Sequence, residues 1–142
     1  MYVQFSERFP GVVLQGERVY VDRDRDLNSP LERLYIAYLQ GDLGYGALSR
    51  DYARGLAYLL EGRAPFMQPA EAIKGQVTGP ISWGLAVTDR NRRPILYDEV
   101  LAEALAHHLH LEAAWQEQAL RRFCERTIIF VDEPYMSSFG SA

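Results

Sequence analysis

Thr127-Ile128-Ile129-Phe130-Val131, a run of β-branched and aromatic residues, stops at two carboxylates, Asp132 and Glu133, followed by Pro134. A carboxylate at the end of a strand is placed to bind an ammonium group or to act as a general base. In α/β proteins, ligands collect at the carboxyl ends of strands. Neighbouring residues of a strand point to opposite faces, so Asp132 and Glu133 do not read as a cooperating acid and base. One faces the ligand edge while the other holds loop backbone; the competing reading has both carboxylates capping the following turn. A second polar break, Thr78-Gly79-Pro80-Ile81-Ser82, offers backbone amides and two hydroxyls to a ligand, because glycine lets the main chain approach closely. Its competing reading is a tight turn.

Other reactive side chains carry weaker patterns. Glu103 and His107 have the i, i+4 spacing that holds metals on a helix, and His108 and His110 lie beside them. No HExxH accompanies them, so ordinary helix histidines are the favoured reading. Cys124 is the single cysteine; it excludes an intrachain disulfide and a CxxC metal site, and it reads as a packing residue. Tyr35, Tyr38, Tyr45, Tyr52 and Tyr58 mostly fit helical core spacing.

The elements that position these groups follow from pattern. The 127–131 run has no alternation and reads as a strand buried on both faces, as in a helix-covered parallel sheet. Ala72 to Thr78 reads as another strand, closed by Gly79-Pro80. Between them, Leu101, Leu105, His108, Leu111, Trp115, Ala119 and Phe123 form one stripe of a long helix from Asp98 to about Glu125. Strand, helix, strand in that order is a βαβ unit with parallel strands, which brings Thr78-Gly79 and Asp132-Glu133 to one edge. Upstream, Val12-Val13-Leu14 and Val19-Tyr20-Val21 flank a turn at Gly16 and predict a hairpin that serves as a surface flap. Asp22 to Asp26 alternates in charge and reads as a solvated linker. Ser29-Pro30-Leu31-Glu32 has the form of a capping box for a helix over about 30–40. Leu48, Tyr52, Leu56 and Leu59 predict a second helix that stops at Gly62, ahead of a loop punctuated by Pro65 and Pro69.

With 142 residues, 48% of them hydrophobic and 24% charged, the chain suits one α/β domain with one core. A net charge of -4 argues against a nucleic-acid partner, and the short Arg90-Asn91-Arg92-Arg93 cluster does not reverse it. No stretch approaches the ~20 apolar residues of a membrane span, and the N-terminus lacks a signal peptide's pattern. A cytoplasmic location is expected.

Gln76-Val77-Thr78-Gly79-Pro80, followed about fifty positions later by Phe130-Val131-Asp132-Glu133-Pro134, resembles the cobalamin-independent methionine synthases and their relatives. These belong with uroporphyrinogen decarboxylase among the (β/α)8 barrels, and Tyr135-Met136-Ser137-Ser138-Phe139-Gly140 looks like a short bacterial branch. A complete barrel takes about 250 residues. The resemblance therefore implies a partial (β/α)8 TIM barrel with parallel strands, plus the small N-terminal β-hairpin. Residues 1–142 form a single, incomplete domain, with hairpin and charged linker over 1–28 and helices and the βαβ unit over 29–142.

The resemblance also implies a function, a fragment of a zinc-dependent methyltransferase that moves a methyl group to a thiol. Asp132 corresponds to the carboxylate on the substrate's amino group, and Glu133, Thr78 and Gly79 shape the substrate pocket. The family's His-x-Cys and later Cys ligands have no counterpart here, so zinc is expected only in a full-length relative, with no cofactor and no activity in this chain alone. Trp83 does not fall where the synthases carry their tryptophan. The implied partners are a small-molecule thiol and a methyl donor, together with self-association through open strand edges. Two alternatives are a non-catalytic binding or assembly module and a metal-free decarboxylase-like fragment.

Overall fold

The computed structural model describes residues 2–16, 18–62 and 70–138. The loop at Pro65 and Pro69 and the end of the extension, Phe139-Gly140, lie outside them.

Helix α4, Glu99–Leu120, is the spine of the fold. Its start is fixed by Asp98, whose Oδ1 accepts the Leu101 amide at 3.0 Å and satisfies one of the four orphan donors of a helix N-terminus. Leu101, Leu105, His108 and Leu111 are buried as their spacing predicts. Farther along, the buried line runs through Glu112, Gln116 and Leu120, while Trp115 and Ala119 are only half-buried. Polar side chains occupy interior positions there, which an apolar pattern does not register.

Strands β3, Ile73–Thr78, and β5, Thr127–Asp132, pair in parallel on either side of α4 in sequence. Ile73 lies opposite Thr127 and Thr78 opposite Asp132, so the two polar strand ends do share one edge. Helix α4 packs closely on β3. A Cβ built on Gly75 would lie 2.7 Å from Ile129 Cδ1, 2.9 Å from Leu120 Cδ1 and 3.0 Å from Gln116 Oε1, so a side chain there would push these tips aside. Gln116 also reaches the free edge of β3: its Oε1 accepts the Gln76 amide at 3.3 Å and its Nε2 donates to the Gln76 carbonyl at 3.0 Å.

The remaining strands form a separate mixed sheet. β1, Val12–Gln15, and β2, Arg18–Val21, are the antiparallel hairpin, and β2 pairs in parallel with β4, Thr88–Asp89. The expectation of a partial (β/α)8 barrel with parallel strands is overturned by this division into a three-stranded mixed sheet and a two-stranded parallel one. Two physical causes stand out. Gln116 holds the backbone groups of Gln76 that another strand would need, and two-residue β4 spends its pairing on the hairpin.

Only the base of the hairpin enters the core: Val21 is fully buried and Val12 and Val19 pack against it, while Leu14, Gln15 and Arg18 at the outer end are exposed. The charged segment after the hairpin is exposed over 23–26, as a solvated linker should be, and Asp22 alone departs from that expectation. Asp22 is buried and accepts from Arg90 Nη2 at 2.7 Å, with Arg25 at 3.4 Å, and Arg23 bridges Asp89 and Asp98. These pairs tie β2 to the turn after β4 and to the start of α4.

Helix α1, Asn28–Gln40, begins before Ser29, so the expected capping box does not form; Asp26 Oδ1 accepts the Asn28 amide instead. Gly41 ends it in the left-handed conformation, φ 63°. Helix α2 is limited to Arg54–Leu60 and does not take in Leu48 or Tyr52; ahead of it, 43–46 form a 3-10 turn in which Gly46 lies against the α4 backbone. Helix α3, Pro80–Ala86, follows β3 directly. The expectation that β5 is buried on both faces also fails: Ile128, Phe130 and Val131 are 47%, 51% and 57% exposed.

Candidate functional site

At the shared strand edge, the Gly79 amide donates to the Asp132 carbonyl at 2.8 Å and carries the β3–β5 ladder one step beyond the strands. Glu133 then turns back over Gly79. Its Oε1 accepts the Ile81 amide at 3.0 Å and its Oε2 the Ser82 amide at 2.7 Å, so both oxygens cap the first turn of α3. A negative charge there also complements the helix dipole. A Cβ on Gly79 would fall 2.0 Å from Glu133 Cδ, so the close approach that this glycine permits is that of Glu133. The Ser82 hydroxyl accepts the Tyr135 amide at 3.0 Å and holds the chain after Pro134 against α3.

Asp132 differs from its neighbour: its carboxylate takes no hydrogen bond or ion pair from the described residues. Thr78, opposite it in register, is completely buried, and its Oγ1 has no hydrogen-bond partner among the described residues. The four expected substrate-contact residues thus meet at one rim in two pairs. Gly79 and Glu133 build the turn, and Thr78 and Asp132 keep polar groups uncommitted. Tyr2 and Tyr135 stack beside the rim with ring centroids 6.4 Å apart. Burial, then Tyr135 and Glu133 nearby, raise the Tyr2 phenol above its ordinary pKa. Trp83 is a core residue, fully buried, its Nε1 donating to the Tyr2 carbonyl at 3.0 Å with Phe9 edge-on at 5.0 Å.

The histidines take separate surroundings. His107 stacks on Tyr38 at 3.8 Å, and both His107 and Glu103 line an apolar groove of about 240 Å³ between α1 and α4. His108 faces the core, its Nε2 3.3 Å from Glu112 Oε1 and 3.3 Å from the Phe5 carbonyl. His108 Nδ1 and Glu112 Oε2 have no partner among the described residues. Burial raises the Glu112 carboxyl above its usual range, with His108 opposing. Sequence reading singled out Glu103–His107 and missed this pair, although Glu112 lies four residues after His108 on the stripe begun by Leu101 and Leu105.

Cys124 Sγ donates to the Ala70 carbonyl at 3.3 Å, far in sequence from any histidine on α4's buried face. Among the described residues, no group of three or more His, Cys, Asp or Glu is gathered where it could hold a metal ion. The described residues do not supply the donor set for the zinc that the family resemblance implies for a full-length relative. Among the described residues no helix is long and apolar enough to cross a membrane. Compared with known proteins, the chain matches no family model, no curated protein and no solved structure.

Proposed function

We propose that this chain is a non-catalytic binding and assembly module that recruits a partner strand to β5. One observation carries the reading: the β3–β5 sheet is closed on one side and open on the other. The Ile73 amide donates to the Arg126 carbonyl and the Gly79 amide to Asp132, which fixes the parity of the ladder. Arg126, Ile128, Phe130 and Asp132 turn their backbone groups toward β3; Thr127, Ile129 and Val131 turn theirs outward. A row of amides and carbonyls that have no partner among the described residues, flanked by exposed Ile128, Phe130 and Val131, is a template for strand addition. Free Cys124 accords with the reducing cytoplasm as the place of work.

The test is Val131→Pro. Its side chain is exposed and its amide points away from β3, so proline is tolerated there as on any edge strand while the outward hydrogen bond is lost. Association, measured by light scattering and by binding of a peptide spanning residues 125–133, is expected in the parent chain and absent in the variant. Equal association in both chains refutes the reading.

A second reading is favoured by the buried, unpartnered Thr78 hydroxyl opposite the uncommitted Asp132. It follows the methionine synthase resemblance: Asp132 receives the ammonium group of an amino thiol at this rim, and this chain binds without turning over. Titration with L-homocysteine should shift the amide resonances of Thr78 and Asp132 in the parent chain and not in Asp132→Asn. Identical shifts in both, or none, refute it.

A further inference from the structure

The outward groups of β5 suit one particular partner. In an antiparallel pair, residues that exchange hydrogen bonds must both point their backbone groups at the neighbour. On β5 those residues are Thr127, Ile129 and Val131, spaced symmetrically about Ile129. If a second β5 lies antiparallel across a two-fold axis at Ile129, then Ile129 faces its own copy and Thr127 faces Val131 of the other chain. All the outward groups are then satisfied at once.

The same register decides what meets on the solvent face. Lys74, Gln76, Ile128 and Phe130 share that face, opposite the one covered by α4. The two-fold sets Ile128 against Phe130 of the other copy, an aliphatic–aromatic cross-strand pair that covers the exposed apolar side chains. One step farther out, it sets Arg126 against Asp132 of the other copy, at both ends of the seam. Arg126 is exposed and in no salt bridge, and the Asp132 carboxylate is uncommitted among the described residues. A shift of the strands by two residues in either direction would break this match and leave outward groups unpaired. On the opposite face, α4 lies over β3 and holds its far edge through Gln116, leaving the side of Val131 clear for the second copy.

We propose that the partner strand is β5 of a second copy, in antiparallel pairing about Ile129, with reciprocal Arg126–Asp132 pairs. The proposal rests on the assembly reading above and specifies its partner. An isologous contact of this kind closes at two chains.

Charge exchange tests it. Sedimentation equilibrium of the parent chain should give a dimer mass. Arg126→Asp and Asp132→Arg each place like charges opposite each other at both ends and should weaken dimerisation by about tenfold or more. The double variant restores opposite charges and should return to within about threefold of the parent. Circular dichroism melts confirm that each variant folds. A monomer at ~100 µM, or a double variant as weak as the single ones, overturns the second-copy proposal. If the 125–133 peptide still binds in either case and Val131→Pro abolishes that binding, the β5 edge does recruit a strand but not in the two-fold register proposed for whole chains, and the assembly reading survives without this dimer. Otherwise both fail.

Discussion

Replacing Gly79 with alanine gives a sharp test of how the rim is built. Its backbone, φ -80° and ψ 156°, is open to any residue, so alanine is not disfavoured by conformation. The obstacle is Glu133, whose Cδ, Oε1 and Cγ would lie 2.0, 2.1 and 2.3 Å from the new methyl carbon. The carboxylate must leave, and with it go the bonds from the Ile81 and Ser82 amides. Hydrogen bonds to a charged group contribute about 1.5–3 kcal/mol each when buried. Glu133 is only half-buried and water can reach part of the vacated turn, so about 2–3 kcal/mol in total is expected. In a Glu133→Ala background the methyl meets no carboxylate. There the Gly79→Ala change should stabilise by about 0.4–1 kcal/mol, through the smaller entropy of the unfolded chain. Reversal of sign between backgrounds, a coupling of about 3 kcal/mol, is the signature. Urea unfolding followed by the fluorescence of Trp83, buried in α3 beside the rim, measures all four corners of the cycle. If Gly79→Ala costs the same in both backgrounds, Glu133 is not what the glycine accommodates.

Two further outcomes follow from the α4 core. Burial raises the folded-state pKa of Glu112 above its ordinary value of about 4.5, so the folded chain holds that proton to higher pH than the unfolded chain. The stabilising effect is complete below the ordinary value and is lost as pH rises toward the folded one; Glu112→Gln should therefore raise the urea midpoint at neutral pH, with a gain that shrinks toward pH 4. A gain that is largest at pH 4 would contradict this. Gly46→Ala puts a methyl carbon 2.3 Å from the Leu111 carbonyl and 2.6 Å from the Glu112 nitrogen, backbone atoms of a helix that cannot swing aside. A loss of about 3 kcal/mol is expected in thermal melts, against no loss for Gly55→Ala, where nothing lies within 4 Å; a loss under 1 kcal/mol at Gly46 would show that α4 gives way.

The sequence was legible where one pattern dominated. The bounds of β5 could be read from an apolar run ending in Asp132-Glu133-Pro134, and those of β3 from the break at Gly79-Pro80, and with them the shared polar edge. Where polar side chains do the work of the core, the same reasoning misplaced them. Asp22 looked solvated because its neighbours are charged, yet it is buried and paired with Arg90 from the turn after β4. Glu112 and Gln116 stand at buried positions that hydrophobic spacing leaves blank. The barrel expectation failed for a related reason: the strands were identified, but no local signal shows that a helix side chain would occupy the edge where the next strand belongs. At the rim, the residue types pointed to the right place, while the division of labour between Asp132 and Glu133 depended on which carboxylate could reach the α3 amides.

Gln116 has a consequence for what kind of object this chain forms. A sheet with two receptive edges has a functionality of two, and monomers of that kind grow into fibrils without limit. By engaging the amide and carbonyl of Gln76, one side-chain amide lowers the functionality to one. If β5 recruits a second copy as proposed, the one edge left on this sheet yields pairs and stops. Under that proposal the neutral carboxamide on α4 is a chain terminator for the β3–β5 sheet, and β5 can stay exposed without committing this sheet to open-ended polymerisation.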